Sequence, residues 1–107
     1  MKDWKDPIHP GEILADELEY IGMTAAALAE RIGVSKNRIY HIINEERGIT
    51  ADIAIRLGIF FQQTPDFWLN LQKSYELDVA RQRLGDSAKN IIPYQPQAPS
   101  SAQMKAI

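Results

Sequence analysis

TAAALAERIGVSKNRIYHIIN, running from Thr24 to Asn44, has the pattern of two short helices that meet at a tight turn. Thr24 is an N-cap residue, since its hydroxyl can accept a hydrogen bond from a backbone N–H of the first helical turn. Ala27 stands where a capping box would need Glu or Gln, so the start signal rests on Thr24 alone. Ala25, Leu28, Ala29 and Ile32 then fall at helical spacing. Gly33 follows, where a left-handed C-cap belongs. Val34 plugs the turn into the core, and Ser35 is a second N-cap. Beyond it Ile39, Ile42 and Ile43 mark one buried face of a second helix.

With those isoleucines inward, Asn37, Tyr40, His41 and Asn44 point outward, and Arg38 lies at the flank. Lys36 is angularly close to Ile43, but in the first turn it projects past the core. These side chains are long enough to reach base edges. Asn pairs bidentately with adenine, and Lys with guanine, in the major groove. The stretch resembles a helix-turn-helix of the phage-repressor (XRE/Cro) type, with Ser35–Asn44 as recognition helix. Ala25, Ala26, Ala27 and Ala29 suit it, because the two helices must cross closely. The competing reading is an ordinary helical hairpin whose polar face is merely solvated.

The surrounding chain is consistent with one small domain. Its 107 residues suffice for a modest single core. There is no cysteine, hence no disulfide framework and no thiolate metal site, which fits a reducing cytoplasm. No apolar run approaches a membrane span, and no signal peptide opens the chain. A net charge of −2 argues against a general polyanion binder. The charge is unevenly placed, however. Residues 1–30 carry a net −5, residues 31–47 a net +2, and no acid lies between Arg31 and His41. A small positive patch on an acidic body predicts weak non-specific binding to DNA and dependence on a second copy.

Before the central stretch, Met1 to Pro7 is polar and frayed or extended, with Trp4 expected to dock. Pro10 can open a helix, where its missing N–H costs nothing. That first helix is expected from Gly11 to Tyr20, with Ile13, Leu14, Leu18 and Ile21 as its stripe and Gly22 as its end. His9 has no partner at metal-ligand spacing and reads as a cap or turn residue. His9 and His41 alone would make an incomplete metal site, so neither a metal nor another cofactor is expected. After the central stretch, Arg47 and Gly48 suit a turn beside a phosphate backbone. Thr50 caps a fourth helix with Ile53, Ala54, Leu57, Phe60 and Phe61 buried and Arg56 pointing elsewhere. Thr64 and Pro65 begin a fifth helix that ends at Gly85. The fold expected is therefore all-α: a five-helix domain over residues 1–85 and a Pro-rich, flexible tail over residues 86–107. The tail is either a segment that orders on a partner or a plain disordered end.

Three further stretches carry a wider resemblance: His9-Pro10-Gly11-Glu12-Ile13-Leu14, then Gly48-Ile49-Thr50 with Ala54-Ile55-Arg56-Leu57, then Phe67-Trp68-Leu69-Asn70-Leu71-Gln72. In this order, around such a helix-turn-helix, the chain resembles the HigA/VapI-type antitoxins of bacterial toxin–antitoxin modules from Ile8 to Asp78. The resemblance implies a homodimer that binds double-stranded operator DNA, represses its own operon and neutralises a HigB-type mRNA endonuclease toxin. It also implies base reading by Lys36, Asn37, Tyr40 and His41, with phosphate contacts from Ser35, Arg38 and Arg47. Many phage-type repressors begin the helix before the turn with a phosphate-binding Gln, and here Ala25 stands in its place.

Trp68, Leu71 and Tyr75 form a stripe that is either core or a two-fold interface. If the first four helices and Phe67 already fill the core, the stripe is the dimer joint. Two other functions compete: a stand-alone transcription regulator without a toxin, and a protein-interaction module whose helix-turn-helix no longer reads DNA. No nucleophile–base set or phosphate-cradling loop can be assembled, so the chain is not read as an enzyme.

Overall fold

A computed structural model describes residues 6–96. The expectations for Trp4 and for the end of the tail lie outside them. Among the described residues, five α-helices follow one another: α1 Pro10–Ile21, α2 Ala25–Ile32, α3 Lys36–Ile43, α4 Ala51–Phe61 and α5 Pro65–Leu84. A short 3-10 helix, Gly85–Asn90, closes the series.

The caps explain the boundaries. His9 is the N-cap of α1: its Nδ1 accepts the Gly11 N–H at 2.9 Å, and its ring lies edge-on to Tyr75. Thr24, Ser35 and Thr50 cap α2, α3 and α4 through their hydroxyls. Gly22 and Gly33 end α1 and α2 in the left-handed region, which a side chain would disfavour. Thr64 stands at the N-cap of α5 in an extended conformation but makes no side-chain cap bond, so Pro65 supplies the start signal there.

Leu14, Leu18, Leu28, Ala29, Ile32, Ile39, Ile42, Ile53, Ala54, Leu57 and Trp68 make one core, with Ile49 closing it from the loop before α4. Burial decides the choice left open on α5. Trp68 has no exposed surface, whereas Phe67 is 40 % exposed. The indole lies against Phe61 and Phe67, and its Nε1 donates to Gln63 Oε1 at 3.1 Å. A fully buried side chain has no surface to offer a second copy, so Trp68 belongs to the core. Ile21 is exposed at the end of α1, because the helix runs past the core there.

Gly11 and Arg56 are two of the residues that fix the helix-turn-helix to the rest. Gly11, at the start of α1, lies so close to α3 that an added Cβ would fall on the Ile42 carbonyl oxygen. On the other side, the Arg56 guanidinium donates to the carbonyls of Ile32 (2.7 Å) and Gly33 (3.3 Å), while Nε pairs with Asp52 at 3.0 Å. Arg56 thus satisfies orphan carbonyls at the end of α2 from the side of α4. Arg56→Met should cost about 1–2 kcal/mol, because a charge-assisted bond is lost at a partly exposed site. Chemical denaturation checks this, and an unchanged midpoint would contradict it.

Candidate nucleic-acid interface

The outward face of α3 is built from its cap inward. Ser35 Oγ accepts the Arg38 N–H at 3.2 Å, so Lys36 and Asn37 occupy the first turn and both are exposed. Ile39 and Ile42 have no exposed surface, which fixes the rotation of the helix. One turn on, Tyr40 is exposed and His41 is half-buried. Lys36, Asn37, Tyr40 and His41 therefore stand together on one short helix whose opposite side is locked in the core.

The flanks differ in charge. At the N-terminal end stand Lys36 and Arg38; just past the C-terminal end stand Glu45 and Glu46. A polyphosphate approaching α3 is drawn to its first turn and repelled from its last. Arg38 is held rather than loose: its Nη2 donates to Thr50 Oγ1 at 3.0 Å, and that oxygen also accepts the Ile53 N–H at 3.3 Å. Ser35 spends an acceptor on its cap but keeps an O–H to donate.

The loop after α3 turns back on itself. The Glu46 and Arg47 N–H groups both reach the His41 carbonyl, at 2.8 and 3.1 Å, and Glu45 takes positive φ. This leaves the Arg47 side chain exposed beside α3. Gln72 of α5 pins the end of the loop, accepting the Ile49 N–H at 2.7 Å while donating to Glu76 at 2.7 Å. A side chain on Gly48 would collide with the Gln72 amide. At the start of α2, Thr24 takes the Ala27 N–H, and the Ala25 and Ala26 amides head the helix in place of a Gln side chain.

The three residues expected at a dimer joint are separated. Trp68 is core, whereas Leu71 is half-buried against the core and Tyr75 half-buried against His9. Past Tyr75 no residue of α5 is buried. Among the described residues, no group of three or more His, Cys, Asp or Glu could hold a metal ion, and no helix is long and apolar enough to cross a membrane.

Sequence reading missed four positioning residues: Gly11, Thr50 as the anchor of Arg38, Arg56 and Gln72. Arg56 and Gln72 carried a local signal, the i,i+4 spacing to Asp52 and to Glu76. The bonds of Arg38 to Thr50, Arg56 to Ile32 and Gln72 to Ile49, and the approach of Gly11 to Ile42, join residues far apart in sequence.

Comparison with known proteins places the fold among helix-turn-helix proteins. The family described as Helix-turn-helix matches residues 17–68. Virulence-associated protein I of Dichelobacter nodosus is 50% identical over 76 residues, 70% of this chain and 70% of that protein. Antitoxin HigA-1 of Vibrio cholerae is 40% identical over 93 residues, 86% of this chain and 88% of the relative. The structure of Pseudomonas aeruginosa antitoxin HigA with the higBA promoter is similar with a TM-score of 0.78 at 44% identity, covering 84% of this chain and 99% of that one.

Proposed function

The chain belongs to the HigA family of helix-turn-helix antitoxins, and we propose that it binds its own operator as a homodimer, represses its operon and neutralises a HigB-type mRNA endonuclease toxin. It acts by binding rather than catalysis, in the cytoplasm, where both DNA and the toxin's substrate are found. One observation carries the DNA-binding part: four hydrogen-bonding side chains share the outward face of a helix whose rotation is fixed by two fully buried isoleucines. That the similar structure is of P. aeruginosa antitoxin HigA with the higBA promoter supports the same use of the face here.

In this reading Lys36 and Asn37 contact base edges, Tyr40 and His41 extend the contact along the groove, and Ser35, Arg38 and Arg47 bind phosphate. The Ala25 and Ala26 amides serve where related repressors use Gln. Leu71 and Tyr75 of α5 form the dimer joint, next to the part of the helix that its own chain leaves uncovered.

A shift assay on the protein's own promoter tests the assignment. Asn37→Ala and Lys36→Ala should each weaken specific binding by about 1–3 kcal/mol and relax sequence preference. Arg38→Ala should weaken all sequences alike and flatten the salt dependence. Undiminished operator affinity in Asn37→Ala would refute the register given to α3.

A further inference from the structure

Beyond Tyr75, α5 leaves the body of the molecule and carries an open groove lined by Tyr75, Glu76, Val79, Ala80, Arg83 and Leu84. After the 3-10 helix the chain continues as Ile91-Ile92-Pro93-Tyr94-Gln95-Pro96, without regular structure. Its apolar side chains are almost bare: Ile91 is 64 % exposed, Ile92 88 % and Tyr94 87 %. An apolar arm and a groove with apolar walls at Tyr75, Val79, Ala80 and Leu84, flanked by Glu76 and Arg83, thus lie at the same end of the molecule, and neither covers the other within the chain.

We infer that the arm of each protomer, Ile91 to Tyr94, docks into the Tyr75–Leu84 groove of a second copy. This rests on the proposed dimer joint, with which the groove is continuous through Tyr75. The dimensions agree. Four extended residues, Ile91 to Tyr94, reach about 13 Å, and α5 rises about 14 Å from Tyr75 to Leu84. Pro93 and Pro96 restrict the arm to extended conformations, so little freedom is lost on docking. Polar Gln95 falls between the apolar contacts and the solvent. Exchange explains why the apolar side chains are left uncovered in a single chain. The joint at Leu71 and Tyr75 alone is narrow, and two arms add several hundred Å² of buried surface, toward the ~1,200–2,000 Å² of a stable dimer.

The chain has no cysteine, so introduced thiols report cleanly. Full-length Ile92→Cys and Val79→Cys chains, one enlarged by a tag, are mixed and oxidised. The expected product is a mixed disulfide dimer that outweighs both like-with-like products. Separately, Ile92→Asp should raise the dimer dissociation constant at least tenfold in sedimentation, with circular dichroism unchanged. The proposal is overturned if both cysteines in one chain close within that chain while the separate chains do not cross-link. It is also overturned if Ile92→Asp leaves the dimer constant unchanged although Tyr75→Glu splits the dimer, and in that case the joint itself stands. A wild-type protein that sediments as a monomer overturns both the joint and the arm.

Discussion

Trp68→Ala is expected to cost about 3–5 kcal/mol and to leave much of the protein unfolded at 37 °C. Small domains have about 5–15 kcal/mol to lose, and a chain of this size lies toward the lower end. The indole is fully buried, touches Phe61 and Phe67, and holds Gln63 through its N–H. Removing it opens a cavity between α4 and α5 and leaves the Gln63 amide without that donor. Urea unfolding followed by circular dichroism measures the loss. Trp68→Phe should retain more of the packing and lie between the two. A Trp68→Ala protein with an unshifted midpoint would place the indole outside the core and return it to the surface of α5.

The second large effect is expected at Gly11. Gly11→Val should destabilise by about 3 kcal/mol, because the added Cβ meets backbone, the Ile42 carbonyl, rather than a side chain that can swing away. For a domain of this size that is a fall in Tm of roughly 12–24 °C. The variant should also bind the operator poorly at temperatures where it is still folded, since α3 has to shift to admit the new group. Gly22→Ala is the comparison. A Cβ there meets nothing within 4 Å, so only the cost of positive φ remains, about 1–2 kcal/mol. Equal losses for the two variants would show that α1 and α3 are not in close contact at Gly11.

The two positions also mark where sequence reading succeeds and where it stops. The helix-turn-helix was legible because local chemistry specifies it: Thr24 and Ser35 cap, Gly33 turns, and Ile39 and Ile42 set the rotation of α3. Which side chains face outward on α3 follows from that rotation alone. The fifth helix is different. Phe67, Trp68, Leu69 and Leu71 are all apolar, and adjacent helical positions lie about 100° apart, so spacing cannot choose among them. The choice is made by Phe61 and Gln63, which lie on the preceding helix and loop and receive the indole. The anchoring of Arg38 by Thr50 and the pinning of Ile49 by Gln72 are tertiary in the same sense. A glycine at position 11 could be read as a helix start; its close approach to Ile42 could not.

The most direct test of the account is dimethyl sulfate protection of the protein's own promoter, because the reagent reports guanine N7 in the major groove. With wild-type protein the account predicts two protected clusters about 10 bp apart, centre to centre, related by an approximate two-fold axis. With Lys36→Ala/Asn37→Ala, shown by circular dichroism to be folded, both clusters should disappear. Protection that persists unchanged in that variant, or a wild-type protein that binds the promoter without protecting the major groove, would contradict the claim that the outward face of α3 reads the operator.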